Sequence, residues 1–459
     1  MDREHVKNKL AELIADRNFV SIRAIFGGLA PADSAEVIAE FDAAEQVALF
    51  RLLPGELATE VFEYLDVEVQ EGMLHAMGDQ RAVELLEAMS ADDRTALLEE
   101  LPTAVCARLV NALSPTERSV ALRLLDYAED SVGRLMTSEY LTLRDEWTAT
   151  EVLDHIRRNG SDSETLNVLY VVDGSGKLVD DVRIRELLLC SPETHVRDLR
   201  DGVFTALHAT DDRETAVAAF RKYHRTVLPV VDGHGGLVGI VTVDDVLDVA
   251  EEEATEDIHK LGGVEQLDEP YLDISFFRLV KKRAVWLVVL FVGEMLTATA
   301  MGFFENEIER AAVLAIFIPL IISSGGNSGS QAASLIIRAM AVGEVGLRQW
   351  WQVMRREIFS GLTLGLILAV IGVIRISVWS AFSDVYGPHW PLLAATVGVS
   401  LVGVVLWGTL SGSMLPFLLK RLGADPATSS APFVATLVDV TGLIIYFVAA
   451  HLILRGTLL

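Results

Sequence analysis

Cysteine is almost absent: the 459 residues contain only two, Cys106 and Cys190. Two isolated thiols build neither a disulfide framework nor a thiolate metal site, and they fit a reducing cytosol. Basic charge is scarce, with 38 Lys and Arg against 65 Asp and Glu. No basic patch able to hold nucleic acid forms against such an excess. The charged N-terminal stretch from Met1 to Leu10 lacks the apolar core of a targeting peptide. No ordered nucleophile–base pair marks a protease, kinase or oxidoreductase. What the chain has in quantity is acid and apolar surface together, a net charge of −27 with 51% hydrophobic residues. The two are segregated. Residues 1–270 hold 25 basic and 55 acidic side chains, whereas residues 271–459 hold 13 and 10. An acidic, water-soluble half therefore precedes a nearly neutral half suited to lipid, which excludes a secreted enzyme and a single globular domain.

The acidic half opens with a 12-residue period. An apolar residue followed by a small, polar or proline residue recurs as Leu29-Ala30, Phe41-Asp42, Leu53-Pro54, Leu65-Asp66, Met77-Gly78, Met89-Ser90, Leu101-Pro102, Leu113-Ser114 and Leu125-Asp126. The second member is often an N-cap residue or a proline able to open a helix. About ten helix-favouring residues follow each pair. The pattern predicts an all-α superhelix of short helices over residues 1–135, each burying a narrow stripe on its neighbours.

From Met136 two stretches share one order of elements. Leu169-Tyr-Val-Val-Asp-Gly-Ser-Gly-Lys-Leu-Val179 and Leu228-Pro-Val-Val-Asp-Gly-His-Gly-Gly-Leu-Val238 place Asp173 and Asp232 59 residues apart. Each reads as strand, Asp-Gly turn, strand, then helix. The two stretches resemble a tandem pair of CBS (cystathionine-β-synthase-type) modules, expected over 136–200 and 201–250. That resemblance implies α/β sensor modules, which in many cases bind adenine nucleotides. The family's nucleotide-contacting element stands in the second module as Gly239-Ile-Val-Thr242-Val-Asp-Asp245. In the first, Asp180, Arg183 and Glu186 replace its Gly, Thr and Asp. One ATP site per chain, at Thr242 and Asp245, is one reading. Thr242 capping the next helix, with Asp245 in its first turn, is the other.

That helix carries Asp244, Asp245, Asp248, Glu251, Glu252, Glu253, Glu256 and Asp257 with no base before Lys260. Asp244, Asp248, Glu252 and Glu256 stack on one face, where like charges cost a few tenths of a kcal/mol per pair. Either the face is simply solvated or something cationic offsets it. Carboxylate oxygens suit Mg²⁺.

The neutral half holds five apolar stretches long enough to cross a bilayer: Ala284 to Phe304, Ala311 to Met340, Ile358 to Phe382, Pro391 to Leu419 and Pro432 to Leu454. Glycine and serine in the second and fourth suggest tilted or broken helices. Lys281, Lys282, Arg283, Arg338, Arg348, Arg355, Arg356, Lys420 and Arg421 flank one side, and Arg310 and Arg455 the other. The positive-inside rule puts the acidic half in the cytosol and the C-terminus outside. Five spans make a poor closed pore alone, so a twofold dimer is expected. Two carboxylates, Glu294 and Asp439, lie within spans, where charge is costly and therefore functional by default. In Pro319-Leu-Ile-Ile-Ser-Ser-Gly-Gly-Asn-Ser-Gly-Ser-Gln331, Gly325-Gly326 opens the backbone beside a cavity, permits close helix packing together with Gly329, or does both.

The order of repeats, CBS pair, acidic helix and five spans resembles the MgtE family of bacterial Mg²⁺ channels and transporters. Tyr127 to Thr137, Glu252 to Ile258, Pro319 to Gln331 and Asp425-Pro426 through Asp439 carry the local resemblance. It implies a homodimer in the plasma membrane, with a pore lined by the second and fifth spans. Asp439 would hold hydrated Mg²⁺, with Ala435, Thr436, Gly325, Gly326 and Asn327 as further pore candidates. The helix after the second module, with the linker over 251–280, would plug the pore ahead of the transmembrane domain at 281–459. Cytosolic Mg²⁺ on the acids from Asp244 to Asp257, with Asp92, Asp93 and Asp232, would lock it closed. A proton- or Na⁺-coupled exchanger and a membrane-tethered nucleotide sensor are the competing readings.

Overall fold

The computed structural model describes residues 3–267, 271, 272 and 274–458. Contacts divide the chain into two units, residues 1–250 and 251–459.

The first unit begins with a stack of short helices. Pro31–Ala39, Ala43–Phe50, Gly55–Glu63, Val67–Met77, Asp79–Ala88, Ala91–Glu100, Thr103–Ala112 and Pro115–Leu125 each start immediately after a repeat pair. Asp42, Ser90 and Ser114 accept backbone N–H bonds of the turn they open, as an N-cap should. The ninth pair departs from the rule, because Asp126 ends a helix rather than starting one. The apolar members Phe41, Leu53, Leu65, Met89, Leu101 and Leu113 all enter one continuous core. Long polar side chains close the junctions. Gln46 donates to the Phe41 carbonyl (2.9 Å), Gln70 to Phe62 (2.6 Å) and the buried Arg94 to Leu86 (3.1 Å). Each satisfies a carbonyl left over at a helix end.

Two matching three-stranded sheets follow. Strands β1 (Thr142–Leu143), β2 (Val168–Val172) and β3 (Leu178–Arg183) form the first, and β4 (Leu207–His208), β5 (Val227–Val231) and β6 (Leu237–Thr242) the second. In each, the short strand pairs parallel and the hairpin antiparallel. Both hairpins slip register at the same place, Val171/Val172 and Val230/Val231. The duplication expected from Asp173 and Asp232 is real down to the bulge.

The second unit contains five helices long and apolar enough to cross a membrane. They are span 1 (Phe276–Phe303), span 2 (Ala312–Ala341), span 3 (Leu347–Ser380), span 4 (Trp390–Arg421) and span 5 (Ala431–Leu454). Neither span 2 nor span 4 breaks at its glycines. Span 2 has a 3₁₀ entry at Ala312–Phe317 and then runs as unbroken α-helix from Ile318 to Ala341, through Gly325-Gly326. Span 4 is continuous even across Pro416. The opened-backbone expectation is therefore corrected, and the close-packing one holds. A Cβ on Gly408 would lie 2.3 Å from the Gly325 carbonyl oxygen, and one on Gly412 only 2.0 Å from that of Gly329. Two small-xxx-small stripes thus press backbone on backbone, with a Ser328–Thr409 hydroxyl bond of 2.7 Å between them.

Other contacts fix the directions of the spans. Gly293 meets Thr436, and Phe304 stacks on Phe447 at 4.6 Å, so spans 1 and 5 run parallel. Gly326 packs on Ala435 while Ser330 donates to the Ala431 carbonyl (3.1 Å), so spans 2 and 5 are antiparallel. Gly361 faces Leu406 and Gly372 faces Leu401, which makes spans 3 and 4 antiparallel. Alternating direction is what five successive crossings require. Gly412→Ala should destabilise the membrane unit by at least about 1–3 kcal/mol, the usual cost of overpacking. Gly302→Ala, with open space around it, should be neutral or stabilising by about 1 kcal/mol or less. Thermal unfolding in detergent distinguishes the two, and equal melting temperatures would refute the packing argument.

Candidate functional site

Close approach of spans 2 and 5 leaves a cleft of about 300 Å³ lined by Pro319, Ile322, Ser323, Gly326, Asn327, Ser330, Ala435 and Asp439. Gly326 lines it without filling it: a Cβ there would fit in ordinary contact, 3.8 Å from Asp439 Oδ1 and 3.5 Å from Ala435, and would take up part of the space. Asn327 projects into the open side and donates to Ser323 Oγ at 3.4 Å. A second hollow of about 460 Å³, lined by Ser330, Gln331, Ser334 and Leu335, continues along the same helix. The polar stripe Ser323, Asn327, Ser330, Gln331 and Ser334 therefore runs from the carboxylate towards the C-terminal end of span 2.

Of the pore candidates, the cleft collects Asp439, Ala435, Gly326 and Asn327. The other two point elsewhere. Gly325 packs against Val404 and Gly408 of span 4. Thr436 turns towards Gly293 of span 1 and donates its hydroxyl to the Pro432 carbonyl (3.0 Å). Glu294 of span 1 is exposed, and its neighbour Gly293 packs against Thr436, three residues before Asp439 on span 5. One turn further on, the Thr297 hydroxyl is buried without a hydrogen-bond partner among the described residues.

The first unit holds a separate concentration of acid. Asp92 starts the Ala91–Glu100 helix, is only 8% exposed, and has one carboxylate oxygen without a partner among the described residues. Burial, followed by the charges of Asp245 and Asp93, holds its pKa well above the usual range. Burial also raises Asp93, against a stabilising bond from the Ser90 hydroxyl (2.8 Å) and with Asp244 and Asp248 adding repulsion. Asp245 is pushed up to about 7, mainly by burial, although the Thr242 hydroxyl donates to it. Glu63 is likewise pushed up to about 7 by burial and by Asp93. Glu164 contributes its charge to the same neighbourhood. Neither Glu63 nor Glu164 was a sequence candidate. Glu63 ends an ordinary repeat helix and Glu164 lies in a loop, so no local pattern marks them. Among the described residues, no three His, Cys, Asp or Glu side chains converge tightly enough to hold a metal ion as placed.

Asp232 lies apart from this cluster. Its Oδ1 accepts from His234 and Gly236 (2.8 Å each) inside the β5–β6 turn, and these bonds hold its pKa below the usual range. Asp173 does the same in the β2–β3 turn. Thr242 and Asp245 engage each other at the start of the acidic helix, Val243–Leu261. Gly239 is required by packing, since a Cβ there would meet Met136 at 2.6 Å. The matching Asp180 is fully buried and accepts from the Gly202 (2.9 Å) and Asp181 (3.0 Å) backbone, so the first module uses this position structurally. Glu251 and Glu252 are exposed and Glu253 is half-buried. Glu256 pairs with Lys260, and burial, then the Asp425 charge, raises the pKa of Asp257.

The fold and site define a multi-pass membrane protein with a carboxylate-bearing polar cleft and a helical, CBS-containing soluble half. The divalent cation transporter family MgtE matches residues 318–449, the MgtE intracellular N domain residues 29–130, and the CBS domain residues 132–193 and 196–252. The magnesium transporter MgtE of Thermus thermophilus is 45% identical over 333 residues, 72% of each chain. That of Enterococcus faecalis is 30% identical over 332 residues, 72% of this chain and 71% of the other. This chain belongs to the MgtE family of magnesium transporters. Among solved structures, the cytosolic domain of the Mg²⁺ channel MgtE in complex with ATP is 34% identical, with a TM-score of 0.51. It covers 53% of this chain and 99% of its own. The soluble part of a magnesium transporter is 25% identical, covers 55% of this chain and 100% of its own, and has a TM-score of 0.52.

Raised folded-state pKa values at Glu63, Asp92, Asp93 and Asp245 mean that their arrangement is most stable below the ordinary carboxylate range. That stability is lost as pH rises through about 7. Without divalent ions, the melting temperature of the soluble half should fall between about pH 5 and pH 8. Millimolar Mg²⁺ should raise it more at the higher pH, where the carboxylates are free of protons. A Mg²⁺ effect that is the same at both pH values would contradict cation binding here.

Proposed function

We propose that the chain forms a dimeric, Mg²⁺-selective channel that admits Mg²⁺ across the plasma membrane and closes when cytosolic Mg²⁺ rises. The observation that carries this reading is Asp439, a carboxylate inside a span that opens onto the polar cleft between spans 2 and 5. Mg²⁺ gives up its water reluctantly, so a single carboxylate with neighbouring Asn327 and Ser323 would bind it through its hydration shell. Charge on the loops supports an orientation with the acidic half in the cytosol and the C-terminus outside. A partner subunit would complete the path, because the open side of the cleft has no wall in one chain's five spans. Removing the negative charge with Asp439→Asn should reduce Mg²⁺ flux into liposomes by tenfold or more, on the order of the 1.4 kcal/mol that a tenfold change represents. Unchanged flux would remove Asp439 from the path.

Closure rests on the acidic cluster. Glu63, Asp92, Asp93 and Asp245 are crowded and hard to ionise together, so a dication among them would relieve repulsion that packing alone leaves in place. Cytosolic Mg²⁺ would thereby favour the compact arrangement, with the Val243–Leu261 helix plugging the path. Removing residues 1–245 should leave flux intact but abolish its inhibition by internal Mg²⁺. Persistent inhibition would locate the sensor elsewhere. ATP bound at Thr242 and Asp245 of the second module is the corresponding proposal for a nucleotide. It is supported by the solved relative named with ATP, and it requires the Thr242–Asp245 bond to open.

Glu294 favours a second reading, in which transport is coupled to H⁺ or Na⁺, because it sets a second carboxylate beside Asp439. Reversal potentials separate the two readings. A channel follows the Mg²⁺ gradient alone, whereas a coupled transporter shifts with H⁺ or Na⁺.

A further inference from the structure

The acidic helix ends within the second unit, and its last turn meets the start of span 5. Lys260, the first base after the acid run, places its Nζ 2.7 Å from Asp425 Oδ2 and also pairs with Glu256. Asp425 is not a loose surface acid. Its Oδ1 accepts from the Ala427 backbone (2.8 Å), capping the turn Pro426–Thr428 that separates spans 4 and 5. That turn is itself well tied, since Ala427, Ser429 and Ser430 are essentially buried. Two further contacts lie beside the ion pair. Leu261 packs on the core of the membrane unit, and the Gly263 turn, at φ +70, approaches Ser430 and Pro432 to 3.5 Å as measured from an added Cβ. Span 5 begins at Ala431 and carries Asp439. Whatever fastens Asp425 therefore fastens the base of the helix that bears the pore carboxylate.

We propose that Lys260 is a tethered cation that latches the end of the acidic helix onto the turn before span 5, and that this part of the closing contact needs no bound Mg²⁺. The proposal rests on the reading of the acidic helix as a plug. An ammonium on its own helix is always present at high local concentration, unlike an ion drawn from solution. It neutralises Glu256 and Asp425 while sharing their hydrogen-bonding capacity. Lys260 is only partly exposed, so its two ion pairs are shielded from bulk water on one side. Loss of the ammonium would leave Glu256 and Asp425 facing each other without a cation between them. The latch sets a baseline tendency to close, to which the Mg²⁺-dependent cluster of the first unit adds.

The test uses the full chain in liposomes with Mg²⁺ flux measured against internal Mg²⁺. Lys260→Met keeps most of the stem and removes the charge. It should raise the internal Mg²⁺ needed for half-inhibition about twofold to fivefold, the weight of one partly exposed ion pair, with maximal flux unchanged. Asp425→Asn should do the same while keeping the Ala427 cap. An unchanged or lowered half-inhibition in Lys260→Met overturns the latch. A second arm does not depend on Mg²⁺ inhibition. Lys260→Cys with Asp425→Cys, in a chain whose Cys106 and Cys190 are serine, is joined by a short bismaleimide. Crosslinking should suppress flux even without internal Mg²⁺, and full flux in the crosslinked protein overturns the proposal. If wild-type flux ignores internal Mg²⁺ yet the crosslink suppresses it, the Mg²⁺-closing reading fails and the latch stands.

Discussion

Carboxylates packed closer than their charges tolerate are the constraint on which the rest of this structure turns. In the first unit, Glu63, Asp92, Asp93 and Asp245 are drawn together by apolar packing around them rather than by attraction to one another. Burial removes water that would otherwise screen them, so each neighbour raises the cost of ionising the next. Such an arrangement stores a response. Protonation strengthens it, and under the proposed function a dication does the same. A soluble half with 55 acidic and 25 basic side chains before residue 271 is suited to that behaviour because few internal bases short-circuit it.

The membrane unit handles the same problem with geometry. Asp439 is kept at a cleft instead of being buried in the bundle, and glycine at 326 leaves part of that cleft unfilled. Gly325 and Gly329 on the adjacent face lock span 2 to Gly408 and Gly412 of span 4. One helix thus turns a rigid glycine face to span 4 and a polar face to the cleft. Rigidity on the first face is what gives the second a defined shape, since helices in lipid gain no hydrophobic drive from meeting each other. At the junction, Lys260 offers a third solution, a base placed where two acids converge.

Much of this was legible in the order of residues, and what was legible had a local cause. The 12-residue period predicted helix starts because an N-cap acts within one turn, and eight of the nine pairs obey it. Asp126 fails because the repeat array ends there and the chain turns away. The paired Asp-Gly turns foretold matching hairpins, since an Asp carboxylate caps its own turn wherever it stands. The five spans followed from apolar stretches of bilayer length, and the cost of charge in lipid singled out Asp439 and Glu294 as candidates. The Gly-Gly of span 2 was ambiguous, because one sequence serves an open backbone or a close contact. Only the presence of Gly408 and Gly412 opposite decides for contact.

What sequence could not supply was the company each acid keeps. Nothing about Glu63 or Glu164 distinguishes them locally from other surface glutamates, and nothing beside Asp92 reveals that it will be buried. The fold gives Asp92 a buried place facing Asp245 and gives Asp232 a turn to cap. Thr436 and Gly325 lie beside cleft residues in sequence but point to other helices. The residues by themselves determined the kinds of element, their number, and where charge would be expensive. Tertiary structure alone decided which charges meet, because repulsion, desolvation and ion pairing depend on separations of a few ångströms between groups up to 165 residues apart, as Lys260 and Asp425 are.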